Sequence, residues 1–221
     1  MILNIYKEKH WTSFDVVAKI RSILKTKKVG HAGTLDPLAE GVLLVLTDKD
    51  TKRQNELMHQ EKEYIAEIVF GIKSPTYDME GPLEELNTNI DATKLQTKLA
   101  VIIPEFVGEI YQKVPAFSAV KVKGKKLYKQ ARKGTLDKDD LPVKKVFIKS
   151  IDLISVEANC YKSFPIAKIK VTCGSGTYIR SLAYDMGKRL GHEATLYSLI
   201  RTRVGFYTVN DSKKIEELIL P

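Results

Sequence analysis

The stretch Gly30-His31-Ala32-Gly33-Thr34-Leu35-Asp36-Pro37-Leu38-Ala39-Glu40-Gly41 packs three glycines, a histidine and an Asp-Pro pair into twelve residues, with the apolar run Val42-Leu43-Leu44-Val45-Leu46 directly behind it. Glycines ahead of the aspartate allow backbone angles that a side chain forbids, so the stretch reads as a tight, shaped loop. Asp36 falls where a helix N-cap would sit, with Pro37 as first helical residue and Gly41 as the stop. The expected product is a short helical turn feeding a buried strand. Taken alone, an Asp-Pro after such a turn is a structural cap.

Working outward from that loop, the chain alternates strands and helices. Ile2 to Tyr6 reads as a strand, and Thr12 or Ser13 caps a helix in which Phe14, Val17, Ile20 and Leu24 recur at helical spacing. A polar helix is expected from about Asp50 to His59, then a strand over Lys62 to Gly71 with Tyr64 at its entrance, then a turn-rich loop over Ser74 to Gly81 in which Asp78 acts as a loop cap. Asp91 to Ile103 has the pattern of an amphipathic helix ended by Pro104, followed by a strand over Phe106 to Lys113. Two long strands follow at Lys144 to Glu157 and Phe164 to Cys173. Gly174-Ser175-Gly176-Thr177 then opens a helix to Leu190 that stops at Gly191, a last strand runs over Leu196 to Phe206, and Asp211 is placed to cap a short helix to Leu220.

Composition sets the broad class. With 221 residues, 43% hydrophobic and 29% charged, the chain has the balance of a soluble globular domain with one filled core or a core and a smaller appendage. No apolar run approaches the roughly 20 residues needed to span a bilayer, and Met1 to Lys7 lacks a basic-then-apolar signal pattern. A cytoplasmic protein is expected. Cys160 and Cys173 are the only cysteines and form no Cys-x-x-Cys pair, which suits reduced thiols in strand cores and excludes a zinc ribbon. No zinc spacing surrounds His10, His31, His59 or His192.

The charge is uneven. Lys113 to Lys149 holds twelve Lys or Arg and three Asp, a local balance of +9 that equals the formal charge of the whole chain. A neutral body thus carries one basic segment, centred on Lys121-Val122-Lys123-Gly124-Lys125-Lys126-Leu127-Tyr128-Lys129-Gln130-Ala131-Arg132-Lys133-Gly134. Its bland reading is a solvated lysine face. Its functional reading is a phosphate-facing surface, since Lys and Arg gain affinity by releasing counterions condensed on nucleic acid. Gly-Ser-Gly-Thr ahead of a helix could also cradle an anion, although the lysine of a P-loop is missing.

Read as G-H-x-G-T-L-D-P-x-A-x-G-V-L, the first stretch resembles the catalytic motif of the TruB-type tRNA pseudouridine synthases. Four further runs match the same family: Lys62-Glu63-Tyr64 as K-x-Y, Pro115 to Lys121 as P-x-x-S-A-x-K, Cys173 to Arg180 as C-x-x-G-T-Y-I-R, and Leu199 ahead of a basic pair. The resemblance spans roughly residues 12 to 206. It departs at Lys7 to Ser13, where relatives have K-P-x-G-x-T-S and this chain lacks the proline and glycine but keeps Thr12-Ser13.

The resemblance implies an α+β pseudouridine synthase fold, a mostly antiparallel mixed sheet flanked by helices, with residues 1–221 as one catalytic domain and 113–149 as a mobile thumb. It implies a tRNA substrate modified at position 55 of the T-arm loop, with Asp36 as the catalytic carboxylate and Arg180 paired to it. His31, Tyr64, Tyr178 and Leu199 become the base-contacting residues, and Lys121, Lys123, Lys125, Lys126, Lys129 and Arg132 the RNA grip. Relatives often continue into a second RNA-binding domain, and no such domain is expected within residues 1–221. Neither metal nor cofactor is expected, because isomerising uridine changes no oxidation state and one carboxylate suffices. No membrane and no obligate protein partner are expected. Two rival readings are a synthase of the same fold acting on another RNA or within a guide-RNA particle, and a non-catalytic RNA-binding or RNA-folding protein.

Overall fold

The computed structural model describes residues 1–86, 89–122, 124–137 and 141–218. Its elements run β1 (Ile2–Lys7), α1 (Ser13–Ile23), β2 (Val29–His31), β3 (Glu40–Thr47), α2 (Gln54–Met58), β4 (Lys62–Phe70), β5 (Ile72–Lys73), β6 (Glu84–Glu85), α3 (Ala92–Ile102), β7 (Gly108–Lys113), β8 (Lys121–Val122), β9 (Lys125–Lys126), α4 (Leu127–Arg132), β10 (Val143–Tyr161), β11 (Phe164–Cys173), α5 (Ile179–Leu190), β12 (Ala194–Val204) and β13 (Tyr207–Thr208). The main sheet follows the order β1-β3-β12-β4-β11-β10-β7, with β2 on β3 and β13 on β12. This is the expected α+β class with a largely antiparallel sheet. Among the described residues no helix is long and apolar enough to cross a membrane.

The chain divides into two compact units. The first comprises Met1–Ala66, Lys170–Ser175 and Ser198–Pro221. At its centre β3 buries Val42 to Leu46 completely, as a continuous apolar run on a central strand must. β1 pairs antiparallel along its whole length, from Ile2 opposite Leu46 to Lys7 opposite Gly41. β12 lies parallel on the other side, with Ile200 opposite Glu40 and Arg201 opposite Gly41. Ala32, Val42, Leu44, Leu46, Leu57 and Val204 form one cluster of this core. α1 begins with a capping box, Thr12 accepting from the Asp15 amide while the Asp15 carboxylate accepts from the Thr12 amide. It buries Val17 and Ile20 of the expected stripe together with Val16, whereas Phe14 points outward at 66% exposure.

The second unit comprises Glu67–Ile169 and Gly176–Tyr197. β10 and β7 pair antiparallel, from Val143 opposite Lys113 to Ile148 opposite Gly108, and α3 packs on β10 and α5. Asp91 caps α3 by accepting from the Lys94 amide at 3.0 Å. α5 ends at Gly191, whose φ of 76° is the left-handed cap that glycine favours. Val69, Ile72, Phe164 and Ile166 form a core cluster of this unit, and Val114, Leu127 and Leu141 form another under the basic segment.

Several local expectations are corrected. Asp36 does not start a helix: the Ala39 amide donates to the Asp36 carbonyl at 3.0 Å, closing one turn through Pro37 and Leu38, and Glu40 already belongs to β3. Gly41 therefore stops nothing. It sits inside β3 at φ 100°, where a Cβ would lie 2.3 Å from the Arg201 carbonyl oxygen, so the close β3–β12 approach requires glycine. Gly30 and His31 are strand residues, not loop, paired to Leu46 and Val45. The polar segment at 48–58 is a 3-10 turn to Arg53 followed by the single turn of α2. Cys160 is exposed while Cys173 is buried. Asp211 accepts from the Thr208 hydroxyl, and the turn near the C-terminus begins only at Ile215; residues 219–221, where the expected helix ends, lie outside the described set.

Candidate active site

The loop from Ala32 to Ala39 is held by side chains that reach its backbone. The Ala32 amide still pairs with the Leu44 carbonyl at 2.9 Å, extending the β2–β3 ladder by one bond. Arg201, fully buried, then takes over: Nε donates to the Val42 carbonyl at 2.7 Å, Nη2 to Gly33 at 3.1 Å and Nη1 to Thr34 at 3.4 Å. Gly33 adopts φ 98°, with Arg201 Nη1 and Lys62 Cε 3.6 and 3.7 Å from where its Cβ would be. On the far side Ser13 Oγ accepts from the Leu35 amide at 2.9 Å and donates to the Leu35 carbonyl at 3.1 Å. The Pro37 carbonyl receives the His10 amide at 2.8 Å and the buried Lys7 ammonium at 3.4 Å. Every carbonyl named belongs to a residue within five positions of Asp36, or to the strand that follows it. The loop is thereby rigid without being helical.

Tyr64, His31 and Lys62 surround this loop. Tyr64 is buried at the start of β4, and burial pushes its phenol above the usual range; Arg201 opposes that shift, through charge and a hydrogen bond, and the Asp36 carboxylate adds to it. Asp36, Tyr64 and Arg201 thus share one electrostatic neighbourhood. His31 is half-buried, and burial, with the Arg201 charge second, lowers its pKa below 6.5, so the imidazole is neutral at pH 7; its Nδ1 is buried with no hydrogen-bond partner among the described residues. Lys62 donates to the Met58 and Gln60 carbonyls at 2.7 Å each, and burial plus Arg201 brings it down to about 8. Leu199 is buried on β12, two residues ahead of Arg201 and so on the same strand face.

Arg180 and Tyr178 belong to the second unit. Tyr178 is the N-cap residue of α5, its amide donating to Gln112 Oε1 at 2.8 Å and its carbonyl accepting from Gln112 Nε2 at 3.0 Å. Arg180 is buried in the first turn of α5, where Nη2 donates to the Phe117 carbonyl at 2.9 Å and Nη1 to Thr76 at 3.3 Å. Its Nη1 also lies 3.8 Å from Asp78 Oδ2. Asp78 performs its expected capping, accepting from the Thr76 hydroxyl at 2.6 Å and the Glu80 amide at 3.1 Å, and in addition faces Arg180 as a buried anion. That second role was not visible in the turn-rich sequence around it.

The basic segment is an arm of two parts. β8 and β9 form a hairpin, Lys121 opposite Lys126 and Val122 opposite Lys125, turning at Gly124 with φ 80°. α4 follows with Lys129 and Arg132 exposed and Leu127 fully buried as its anchor. Lys126 Nζ and Arg132 Cζ each lie 5.7 Å from the Tyr128 ring centroid. Lys121, Lys125 and Lys126 are exposed, and Lys123 lies outside the described residues.

A carboxylate on a rigid turn, beside a buried tyrosine and under an arginine that fixes the loop, is the architecture of an enzyme site, and comparison with known proteins identifies the family. The model for the TruB family pseudouridylate synthase, N terminal domain, matches residues 21–179, and this chain belongs to that family of isomerases. The tRNA pseudouridine synthase B of Clostridium tetani is 40% identical over 218 residues, covering 98% of this chain and 72% of the relative. That of Parabacteroides distasonis is 42% identical, covering 98% of this chain and 91% of the relative. Among solved structures, a chain from the crystal structure of a Cbf5-Nop10-Gar1 complex is 28% identical with a TM-score of 0.72, over 99% of this chain and 53% of that one. A chain from an H/ACA RNP bound to a substrate RNA containing 2'-deoxyuridine is 26% identical with a TM-score of 0.69, over 99% and 52%. This chain spans about half the length of those two. The pseudouridine synthase fold expected from the sequence is the fold present.

Proposed function

We propose that the chain isomerises uridine to pseudouridine at position 55 in the T-arm loop of tRNA, with Asp36 as the catalytic carboxylate and no obligate protein partner. The observation that carries this reading is the Asp36 turn itself, whose neighbouring carbonyls are gripped by buried Arg201 next to Tyr64. The reaction breaks the N-glycosidic bond, rotates the base and rejoins it to the sugar through carbon 5, releasing the hydrogen there. Asp36 initiates it, either by attacking the sugar or by removing a sugar proton. Arg180 has the role of orienting that carboxylate by a charge-assisted, bidentate contact in a poorly solvated pocket.

A uridine stacked in an RNA loop must be flipped out first, at a cost of a few kcal/mol. Tyr64 as platform, Tyr178 and Leu199 as walls and His31 as a wedge in the vacated stack offset that cost. A neutral His31 suits this, since a wedge among stacked bases gains nothing from a buried charge. Lys121, Lys123, Lys125, Lys126, Lys129 and Arg132 supply the grip on the phosphate backbone. A cytoplasmic setting, where tRNA is processed, accords with this reading.

The test is a T-arm stem-loop whose uridines carry tritium at carbon 5, incubated with the purified chain or its Asp36→Ala variant. Label release by the wild type alone, with both proteins binding the hairpin, is the expected result. Binding by both with release by neither would sink the proposal and point to another RNA, to a guide-RNA particle or to a non-catalytic binder.

A further inference from the structure

The second unit contains a cleft of about 570 Å³ walled by β5, β6, α5 and the loop after β5. Its charged lining resolves into pairs: Lys73 with Glu84 at 3.5 Å, and Lys188 with Glu193. Two groups are left over. Asp185 lies in the wall with no hydrogen-bond or ionic partner among the described residues, and Lys113 of β7, also without an acidic partner there, lines the same cleft. Asp185 and Lys113 also border an adjoining cavity of about 420 Å³. Burial alone acts on the Asp185 carboxyl, pushing it up to about 6, which still leaves it ionised at pH 7 to 8. An aromatic surface stands beside it: Tyr77 and Tyr184 stack with ring centroids 4.2 Å apart, and Tyr77 is held at φ 64°, a left-handed conformation uncommon for a bulky residue.

An isolated carboxylate offers two acceptors side by side and no donor. Of the nucleobase edges only that of guanine presents two adjacent donors, N1–H and the N2 amine; adenine has one donor beside an acceptor, cytosine one donor beside two acceptors, and uracil one donor between two acceptors. A guanidinium makes the same fork, but Lys113, the lysine of the lining left without an acidic partner among the described residues, opposes a cationic ligand. We propose that this cleft binds a guanine nucleotide, with Asp185 accepting from N1–H and the N2 amine, the Tyr77–Tyr184 pair as platform for the ring and Lys113 as the phosphate contact. The site goes beyond the uridine chemistry assigned to Asp36 and does not depend on it. The nucleotide is either free or a guanosine within bound RNA.

Equilibrium titrations of the full chain with 5'-GMP, 5'-IMP, 5'-AMP and L-arginine test this, alongside a uridine pentanucleotide with or without a central guanosine. GMP is expected to bind at least tenfold tighter than AMP, with IMP, which lacks the N2 amine, between them. Asp185→Asn should bring GMP and AMP within twofold of each other while leaving the thermal midpoint in place, because it replaces a desolvated charge by a neutral isostere. Lys113→Gln should weaken GMP but not guanosine. If the guanosine-bearing pentamer binds more than tenfold tighter than GMP, the ligand is part of an RNA; if GMP binds as tightly, it is the free nucleotide. Equal binding of GMP and AMP, a preference that survives Asp185→Asn, tighter binding of L-arginine, or no guanosine-dependent binding of any probe would each overturn the site.

Discussion

Replacing Arg201 by lysine keeps the buried positive charge but removes the planar fork that holds the Asp36 loop. One ammonium on a flexible stem can reach one or two of the three carbonyls that Arg201 now serves, those of Val42, Gly33 and Thr34. Hydrogen bonds to charged groups are worth about 1.5–3 kcal/mol each, so losing one or two costs about 1.5–6 kcal/mol. For a chain of this size each kcal/mol lowers the unfolding midpoint by about 3 °C, giving a fall of about 5–18 °C. The larger consequence is chemical. Gly33 and Thr34 lie just ahead of Asp36, and a reacting group misplaced by about 1 Å loses about 10²-fold in rate. RNA affinity should stay within threefold, because Arg201 is only 1% exposed and offers the RNA no surface. Thermal unfolding by circular dichroism, filter binding and single-turnover tritium release at saturating enzyme read the three quantities separately. A rate within threefold of wild type alongside a depressed midpoint would refute the positioning role. An unchanged midpoint would refute the assigned bond energies.

Arg180→Lys should lower turnover far more than RNA affinity, measured by the same single-turnover and filter-binding assays; an equal fall in both would make Arg180 a phosphate contact. Changing Lys121, Lys125 and Lys126 together to glutamine should reduce the slope of log affinity against log salt by about 2–3, and an unchanged slope would remove the arm from the RNA interface. Gly41→Ala forces a Cβ to 2.3 Å from the Arg201 carbonyl at φ 100° and should destabilise by about 3 kcal/mol or more in urea unfolding. Lys62 sits at about 8 when folded against an ordinary 10.5, so between those pH values the unfolded chain binds more protons and stability rises with pH. The unfolding free energy of wild type minus that of Lys62→Met should therefore climb by about 3 kcal/mol from pH 8 to 10.5, and a flat difference would mean that Lys62 keeps its ordinary basicity.

The strands and long helices were legible because their signals are periodic and local. β1, α3, β11 and α5 lie within a residue or two of their expected bounds, since alternation, the Asp91 cap and the Gly191 stop act over a few positions. Asp36 was legible as a candidate on a tight turn, but its conformation was not. The Asp-Pro signal for a helix start was overridden by the pairing of Glu40 and Gly41 to Ile200 and Arg201, a contact across 160 residues. Arg201 itself escaped notice because an arginine in a strand reads as solvent-facing. The signal was present nonetheless: Leu199 and Arg201 share a face by the two-residue period, so assigning Leu199 to a buried wall placed Arg201 inside too. Phe14 failed in the opposite sense, since α1 packs through Val16 and Val17 and leaves the aromatic outside.

The Asp36 turn is fastened by Lys7 ahead of α1, Ser13 at its start, the His10 amide and Arg201 on β12. In design terms the dodecapeptide from Gly30 to Gly41 is not a portable cassette. Grafted onto another scaffold it would carry its aspartate but none of the clamps that aim it. A minimal transplant must bring along the parallel strand with its arginine and the helix start with its serine, and Gly41 must travel with Arg201 as one unit of inheritance.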